Sequence, residues 1–400
     1  MNPQEETHTL RRNGRLSPLR SALCLLLGAF LGAGCDVPWH PGPPEDPGHG
    51  PGKPGPRPGA CPLQPPEKPP TLEAYASSGP YGFAVREFVF IDSSRPTPPN
   101  GEYPGSPVRT LPTRVYYPAC PPDTAAGVPT DDRIPVARGG PFPLLANAHG
   151  LTALGEARIG EHLASHGYVL VAPRFPLSSG VAPGGPTVAD IANQPADLAF
   201  VMRQVALLSG ADADLAAAVD TQRRGILGFS AGGETVLIGA YHPILALDGI
   251  QAAVAQAPAV ACLFGPPFYA RPLPTLIIAG TSDELVPITD PEKAFSLAPP
   301  PVILMKLLGG THSGFLNREI PFVTNSDTAL CQQLLESGAT MTGREEFAED
   351  IIRGVGPGAI DPTACEPLCS QSFVQTMGAT RQQSLNYAAT LAHFEATLRN

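Results

Sequence analysis

Short apolar runs alternate with stretches of helical period along most of this chain, and that alternation limits its fold more than any other feature. Runs rich in Val, Ile, Leu, Phe and Tyr stand at 83–91, 113–117, 143–148, 168–172, 225–229, 250–256, 275–279 and 302–307. Stretches of helical period and length follow several of them, at 155–166, 187–208 and 231–241. Strand, helix, strand succession gives a sheet whose neighbours run parallel, because the helix carries the chain back before the next strand starts. The central runs lack polar alternation, which fits strands covered by helices on both faces. The expected fold class is therefore α/β, with a mostly parallel eight-stranded sheet, and no internal repeat is visible.

The alternation does not begin until after residue 70. Residues 1–20 carry Arg11, Arg12, Arg15 and Arg20, and residues 21–34 are almost wholly apolar or small. A membrane span needs roughly 20 apolar residues, so this shorter run reads as an export signal covering 1–34. It ends in Leu31-Gly32-Ala33-Gly34-Cys35, which is similar to the lipobox of bacterial lipoproteins, with Gly32 standing where Leu is usual. Cys35 is the expected lipidation site, which would anchor the protein to a membrane in the bacterial cell envelope; secretion after simple cleavage is the alternative. Between Asp36 and Pro70 the chain holds fourteen Pro and six Gly with hardly any aliphatic side chain. Such a stretch cannot bury enough apolar surface to offset chain entropy, so 35–70 reads as an extended tether and 71–400 as the folded body.

Of eight cysteines, Cys24 and Cys35 belong to the leader region, leaving Cys61, Cys120, Cys262, Cys331, Cys365 and Cys369. An even number in an exported chain points to disulfides, with Cys331 to Cys365 or Cys369 the first pairing to test. No Cys-x-x-Cys or Cys/His cluster has zinc spacing. The formal net charge of -10, with no dense run of cations beyond the leader, excludes nucleic acid as a partner.

The chemistry gathers at the ends of predicted strands. In Gly225-Ile-Leu-Gly-Phe-Ser-Ala-Gly-Gly233 the pattern Gly228-x-Ser230-x-Gly232 sits where a strand turns directly into a helix. That context makes Ser230 a nucleophile candidate on a tight turn, where flanking side chains would collide with neighbouring backbone. A neutral hydroxyl needs a base and a carboxylate to orient that base. Asp283 follows the run 275–279 and His312 follows 302–307, so both fall on loops at the sheet edge that carries Ser230. Glu284 is the rival acid and reads as a solvated loop carboxylate. His149-Gly150-Leu151 follows the third run, and the backbone N–H groups of Leu151 and Ala231 are the expected oxyanion donors. His149 itself reads as architectural. His162 and His166, four apart on a predicted helix, read as a solvent-facing pair because Glu161 does not complete a His-Glu-x-x-His motif. His242 and His393 lack convergent partners in sequence.

These residues resemble the α/β-hydrolases similar to platelet-activating-factor acetylhydrolase and to dienelactone-hydrolase-like serine esterases. The resemblance spans about residues 80–312 and rests on Gly79-Pro80-Tyr81-Gly82, Val108 to Pro118, Phe142-Pro-Leu-Leu, His149-Gly150-Leu151, His162 to Pro173, the elbow and the Asp283 loop. It implies Ser230 as nucleophile, His312 as base, and Leu151 with Ala231 as oxyanion hole. Some relatives place the acid after the sixth strand, but 251–270 contain no Asp or Glu, which leaves Asp283. Dienelactone hydrolases proper use Cys as nucleophile, so lactone specificity does not carry over to Ser230, and Arg174 departs from the acidic residue relatives often carry there. The implied activity is hydrolysis of carboxylic esters through an acyl-enzyme without metal or organic cofactor, on a small-molecule or lipid ester, by a monomer. A polyester hydrolase or lipase would use the same three residues, as would an acyltransferase; a non-catalytic surface lipoprotein would not use them at all. Residues 315–370, with three cysteines, exceed a simple connection before the final helix at 372–398 and read either as a disulfide-stapled cap beside the site or as peripheral padding.

Overall fold

A computed structural model of the protein describes residues 71–120, 134–153, 157–316, 326–337, 343–361 and 363–399. The segments expected to be export signal and tether, with Cys35, Cys61, His8, His40 and His49, lie outside the described residues. Eight strands form one sheet: β1 (Gly82–Asp92), β2 (Arg109–Ala119), β3 (Phe142–Ala148), β4 (Val169–Pro173), β5 (Val219–Phe229), β6 (Ala252–Gln256), β7 (Thr275–Gly280) and β8 (Val302–Leu307). Their spatial order is β1-β2-β4-β3-β5-β6-β7-β8. The β1–β2 and β2–β4 pairs are antiparallel and every other pair is parallel. All eight expected strands form, and the sheet has the topology of an α/β-hydrolase.

Among the described residues nine α-helices connect or flank the strands: α1 (Leu72–Ala76), α2 (Arg158–Ser165), α3 (Gln194–Ala206), α4 (Ala213–Ala217), α5 (Ala231–Tyr241), α6 (Thr289–Leu297), α7 (Ser326–Ser337), α8 (Arg344–Ile352) and α9 (Ala379–Leu398). Every residue of β3, β4, β6 and β7 is buried. Successive side chains of a strand point to opposite faces, and the two main core clusters divide that way. Leu144, Ala146, Val169, Val171 and Ile226 pack on one face with α3, α5 and α8 residues such as Val201, Leu237 and Ile351. Leu145, Leu170, Ala172 and Leu227 pack on the other face with Leu163 of α2 and Leu391 and Phe394 of α9. β1 alternates exposed and buried residues because it is an edge strand whose outer face meets solvent. Helix α5 is buried on all sides, as its apolar composition requires.

Three helical expectations change at their ends. The stretch 187–208 divides into a 3-10 turn at Ala189–Asn193 followed by α3, where Pro195 occupies the first turn. α2 is described only from Arg158, and α9 begins at Ala379, seven residues later than expected. Cys331 bonds Cys369, one of the two pairings expected, while Cys365 bonds Cys262. Cys120 is also disulfide-bonded. Disulfides persist in oxidising compartments, which marks the protein as exported. No helix among the described residues is long and apolar enough to cross a membrane.

The segment that reads as cap or padding is partly built into the body. Phe347, Ile351 and Ala359 belong to the larger core cluster, and the Cys262–Cys365 bond ties the segment to the loop after β6.

Candidate active site

The three strands that precede Ser230, Asp283 and His312 lie in the same half of the sheet, β7 beside β8 and β5 one strand away across β6. Parallel strands deliver their following loops to one edge, so residues far apart in sequence meet there.

Ser230 follows β5 and precedes α5 directly. Its φ of 56° and ψ of -122° are costly for a residue with a Cβ, and the surrounding contacts hold it there. The flanking glycines permit the turn. A Cβ on Gly228 would lie 2.3 Å from the Gly232 carbonyl oxygen, and one on Gly232 would lie 2.0 Å from that of Ala148. The turn is further fixed by hydrogen bonds from Ser230 N–H to Gln256 O at 2.9 Å and from Ala259 N–H to Ser230 O at 3.3 Å. Ser230 remains 9% exposed, at the border of burial.

His312 Nε2 lies 3.0 Å from Ser230 Oγ, and His312 Nδ1 lies 2.8 Å from Asp283 Oδ2. The carboxylate accepts the Nδ1 proton, which leaves the Nε2 lone pair facing the serine hydroxyl. The other carboxylate oxygen, Oδ1, accepts from the backbone N–H groups of Leu285 at 2.9 Å and Val286 at 2.7 Å. Asp283 is thereby locked in orientation by its own loop. Burial pushes the Asp283 carboxyl up, opposed by the charge and hydrogen bond of His312. Burial alone would lower His312, but the charge and hydrogen bond of Asp283, with a further contribution from Asp327, raise it above its ordinary value. The pair is therefore arranged to favour an imidazolium beside a carboxylate, the charge state that follows proton transfer from a serine. Phe229 packs on the His312 ring, with centroids 4.7 Å apart, and Phe315 packs on Phe229 in turn at 5.6 Å.

Gly150 approaches this turn from β3: a Cβ there would lie 3.5 Å from Ser230 Cβ. Leu151 follows it, and neither the Leu151 nor the Ala231 backbone N–H has a protein acceptor among the described residues. Both are free to donate to an atom bound at Ser230. His149 is buried; its Nδ1–H donates to Gly150 O at 2.8 Å and its Nε2 accepts from Phe175 N–H at 3.0 Å. Burial lowers it to about 4, so it is neutral at ordinary pH and braces the turn between β3 and the Phe175 loop.

Two readings of the sequence are corrected. Glu284 is buried, not solvated; it accepts from Thr328 Oγ1 at 2.8 Å and Phe373 N–H at 3.1 Å, so it binds a distant segment instead of orienting His312. His162 and His166 are likewise buried, because α1 and α9 cover the helix face they share. His166 Nε2 meets Ser77 O at 2.9 Å, and the His162 ring stacks on Tyr387 of α9. A residue that sequence reasoning missed is Asp327 of α7, which accepts from the backbone N–H of His312 at 2.7 Å. Among the described residues Cys262, Asp290 and Cys365 place three potential metal-ligand atoms within 4.8 Å of one another, but the disulfide removes both thiolates as ligands.

Residues 151–298, less than half the chain, match the family model described as PET hydrolase-like. A solved ferulic acid esterase from Streptomyces cinnamoneus is similar with a TM-score of 0.49 and 20% sequence identity, over 80% of this chain and 91% of that one. No curated protein matches the sequence. Sheet order, the turn after β5 and the matched segment agree, and the chain has the α/β-hydrolase fold.

Proposed function

We propose that the protein is an exported serine hydrolase that cleaves carboxylic esters through an acyl-enzyme. The observation that carries this reading is the continuous chain from Ser230 Oγ to His312 Nε2 at 3.0 Å and from His312 Nδ1 to Asp283 Oδ2 at 2.8 Å. Ser230 Oγ attacks the ester carbonyl carbon while its proton passes to His312 Nε2. The imidazolium is stabilised by Asp283. Negative charge developing on the former carbonyl oxygen is received by the N–H groups of Leu151 and Ala231, each such donor contributing about 3 kcal/mol in comparable sites. Collapse breaks the C–O bond to the alcohol, and His312 returns the proton to that leaving group. Water then attacks the acyl-enzyme with His312 again as base, releasing the carboxylic acid and restoring Ser230.

Substrate class follows less directly. The PET hydrolase-like match over 151–298 supports a polyester as well as a small-molecule or lipid ester. The proposed location is the bacterial envelope, with Cys35 as lipid anchor and the Pro/Gly-rich tether holding a monomeric body off the membrane. Residues 315–370 would set substrate size.

Replacement Ser230→Ala tests the mechanism. It is expected to leave the fold intact and reduce hydrolysis of p-nitrophenyl acetate by several orders of magnitude, as for a unit-acting triad. Turnover near that of the unaltered protein would end the assignment. A series of esters of increasing acyl length, with a polyester film alongside, distinguishes the substrate classes.

A further inference from the structure

We propose that Asp327 is a positioning residue for the base: it holds the backbone of His312 from outside the Ser230–His312–Asp283 chain and couples the acid and base loops to the disulfide-bonded helix α7. The inference rests on the serine-hydrolase reading above, since it assigns Asp327 to that same site.

Asp327 is fully buried. Its Oδ2 accepts from His312 N–H at 2.7 Å and from Glu284 N–H at 3.4 Å, so one oxygen spans the loop after β8 and the loop after β7. Its Oδ1 accepts from Ser313 N–H at 2.8 Å and from the Ser313 hydroxyl. Three backbone amides and a hydroxyl thus converge on one carboxylate. Charge-assisted bonds of this kind are shorter and stronger than neutral ones, and they fix the backbone from which the imidazole projects.

The carboxylate itself is held by what surrounds it. Cys331, one helical turn beyond Asp327, is bonded to Cys369 and packs with Leu285 and Val286, the residues whose amides hold Asp283. Thr328 of the same helix donates to Glu284, and Glu284 in turn accepts from Phe373 N–H. On the opposite side of the His312 loop, α9 supplies Gln382, whose side chain accepts from Thr311 N–H at 2.9 Å and donates to Thr311 O at 2.7 Å. The base is therefore gripped between α7 and α9. Among the described residues the charged groups facing His312 are Asp283 from the loop after β7 and Asp327 from α7, and both favour its protonated form.

The test is Asp327→Asn, which preserves size, removes the charge and replaces one acceptor by a donor. Its expected effects are a fall in kcat on p-nitrophenyl acetate of about tenfold or more, from loss of base alignment, with KM within about twofold because no substrate contact changes. In parallel, NMR of carbon-13-labelled histidine, with His312 assigned through His312→Gln, should show the His312 titration midpoint moving down, since a negative neighbour has gone. Asp327→Glu keeps the charge but alters its reach, and should restore the midpoint while kcat stays low. Wild-type kcat, or an unmoved midpoint, in a folded Asp327→Asn protein would overturn the proposal. Should that variant fail to fold, wild-type kcat in Asp327→Glu would overturn it equally. Absence of ester turnover in the unaltered protein would refute the hydrolase reading alone, because the titration arm needs no substrate.

Discussion

Asp290, in the first turn of α6, is a carboxyl group whose burial is little compensated. It is 1% exposed, neither of its oxygens has a hydrogen-bond partner among the described residues, and it lies against the Cys262–Cys365 disulfide. Burial, reinforced by the charges of Glu366 and Asp283 and only partly offset by Lys293, pushes its pKa from 3.8 up to about 7. The sign of the stability effect follows. Between about pH 4 and 7 the folded protein keeps a proton that the unfolded chain releases, so the folded state is favoured at low pH and that advantage is lost as pH rises through 7. A shift of about three units corresponds to about 4 kcal/mol across the whole interval. Asp290→Asn should therefore unfold like the unaltered protein near pH 4, where both side chains are neutral, and be more stable by about 4 kcal/mol near pH 8. Urea unfolding at both pH values, with disulfides intact, measures the difference of differences and cancels other titrating groups such as His149. A stability difference independent of pH, or a variant less stable than the parent near pH 8, would show that the ionised carboxylate is accommodated and would refute the reasoning.

Two further changes probe close contacts, one at the turn that bears Ser230 and one between β2 and α3. Gly232→Ala drives a methyl group to within 2.0 Å of the Ala148 carbonyl oxygen, so it should destabilise the fold by about 3 kcal/mol and displace Ser230; a stable variant with full esterase turnover would contradict the close approach. Arg109→Met strips the guanidinium from between Asp190 and Asp197, which it binds at 2.6–3.0 Å in full burial. Leaving those carboxylates without it should cost about 3–5 kcal/mol in chemical denaturation, and a loss under about 1 kcal/mol would show that Arg95, the other cation on Asp197, suffices alone.

The parts of this protein that sequence reasoning reached are those written in neighbouring residues. β3, β4, β6 and β7 are runs of side chains that must all be buried, and burial on both faces is itself the signature of a central parallel strand. The turn at Ser230 is equally local: strand, small residues and helix stand in direct succession, and α5 occupies the predicted 231–241. Asp283 and His312 were legible as candidates because each follows an apolar run of strand length. Where the reading failed, the missing information lay elsewhere in the chain. His162 and His166 sit on a helix that looks half solvated until α1 and Tyr387 of α9 close over it, and Glu284 looks like a surface carboxylate until Thr328 and the Phe373 amide reach it.

The sequence by itself thus determined the layering of the sheet, the strained turn that presents Ser230 and the loops that bear Asp283 and His312, since periodicity and turn chemistry act over a few residues. Only the tertiary structure decided that His312 meets Ser230 at 3.0 Å, that Cys365 pairs with Cys262, and that Asp327 grips the His312 amide. An aspartate near a helix start reads in sequence as an ordinary complement to the helix dipole. It acquires its place beside the base because folding removes water from both, and a buried amide must then find an acceptor wherever the chain brings one.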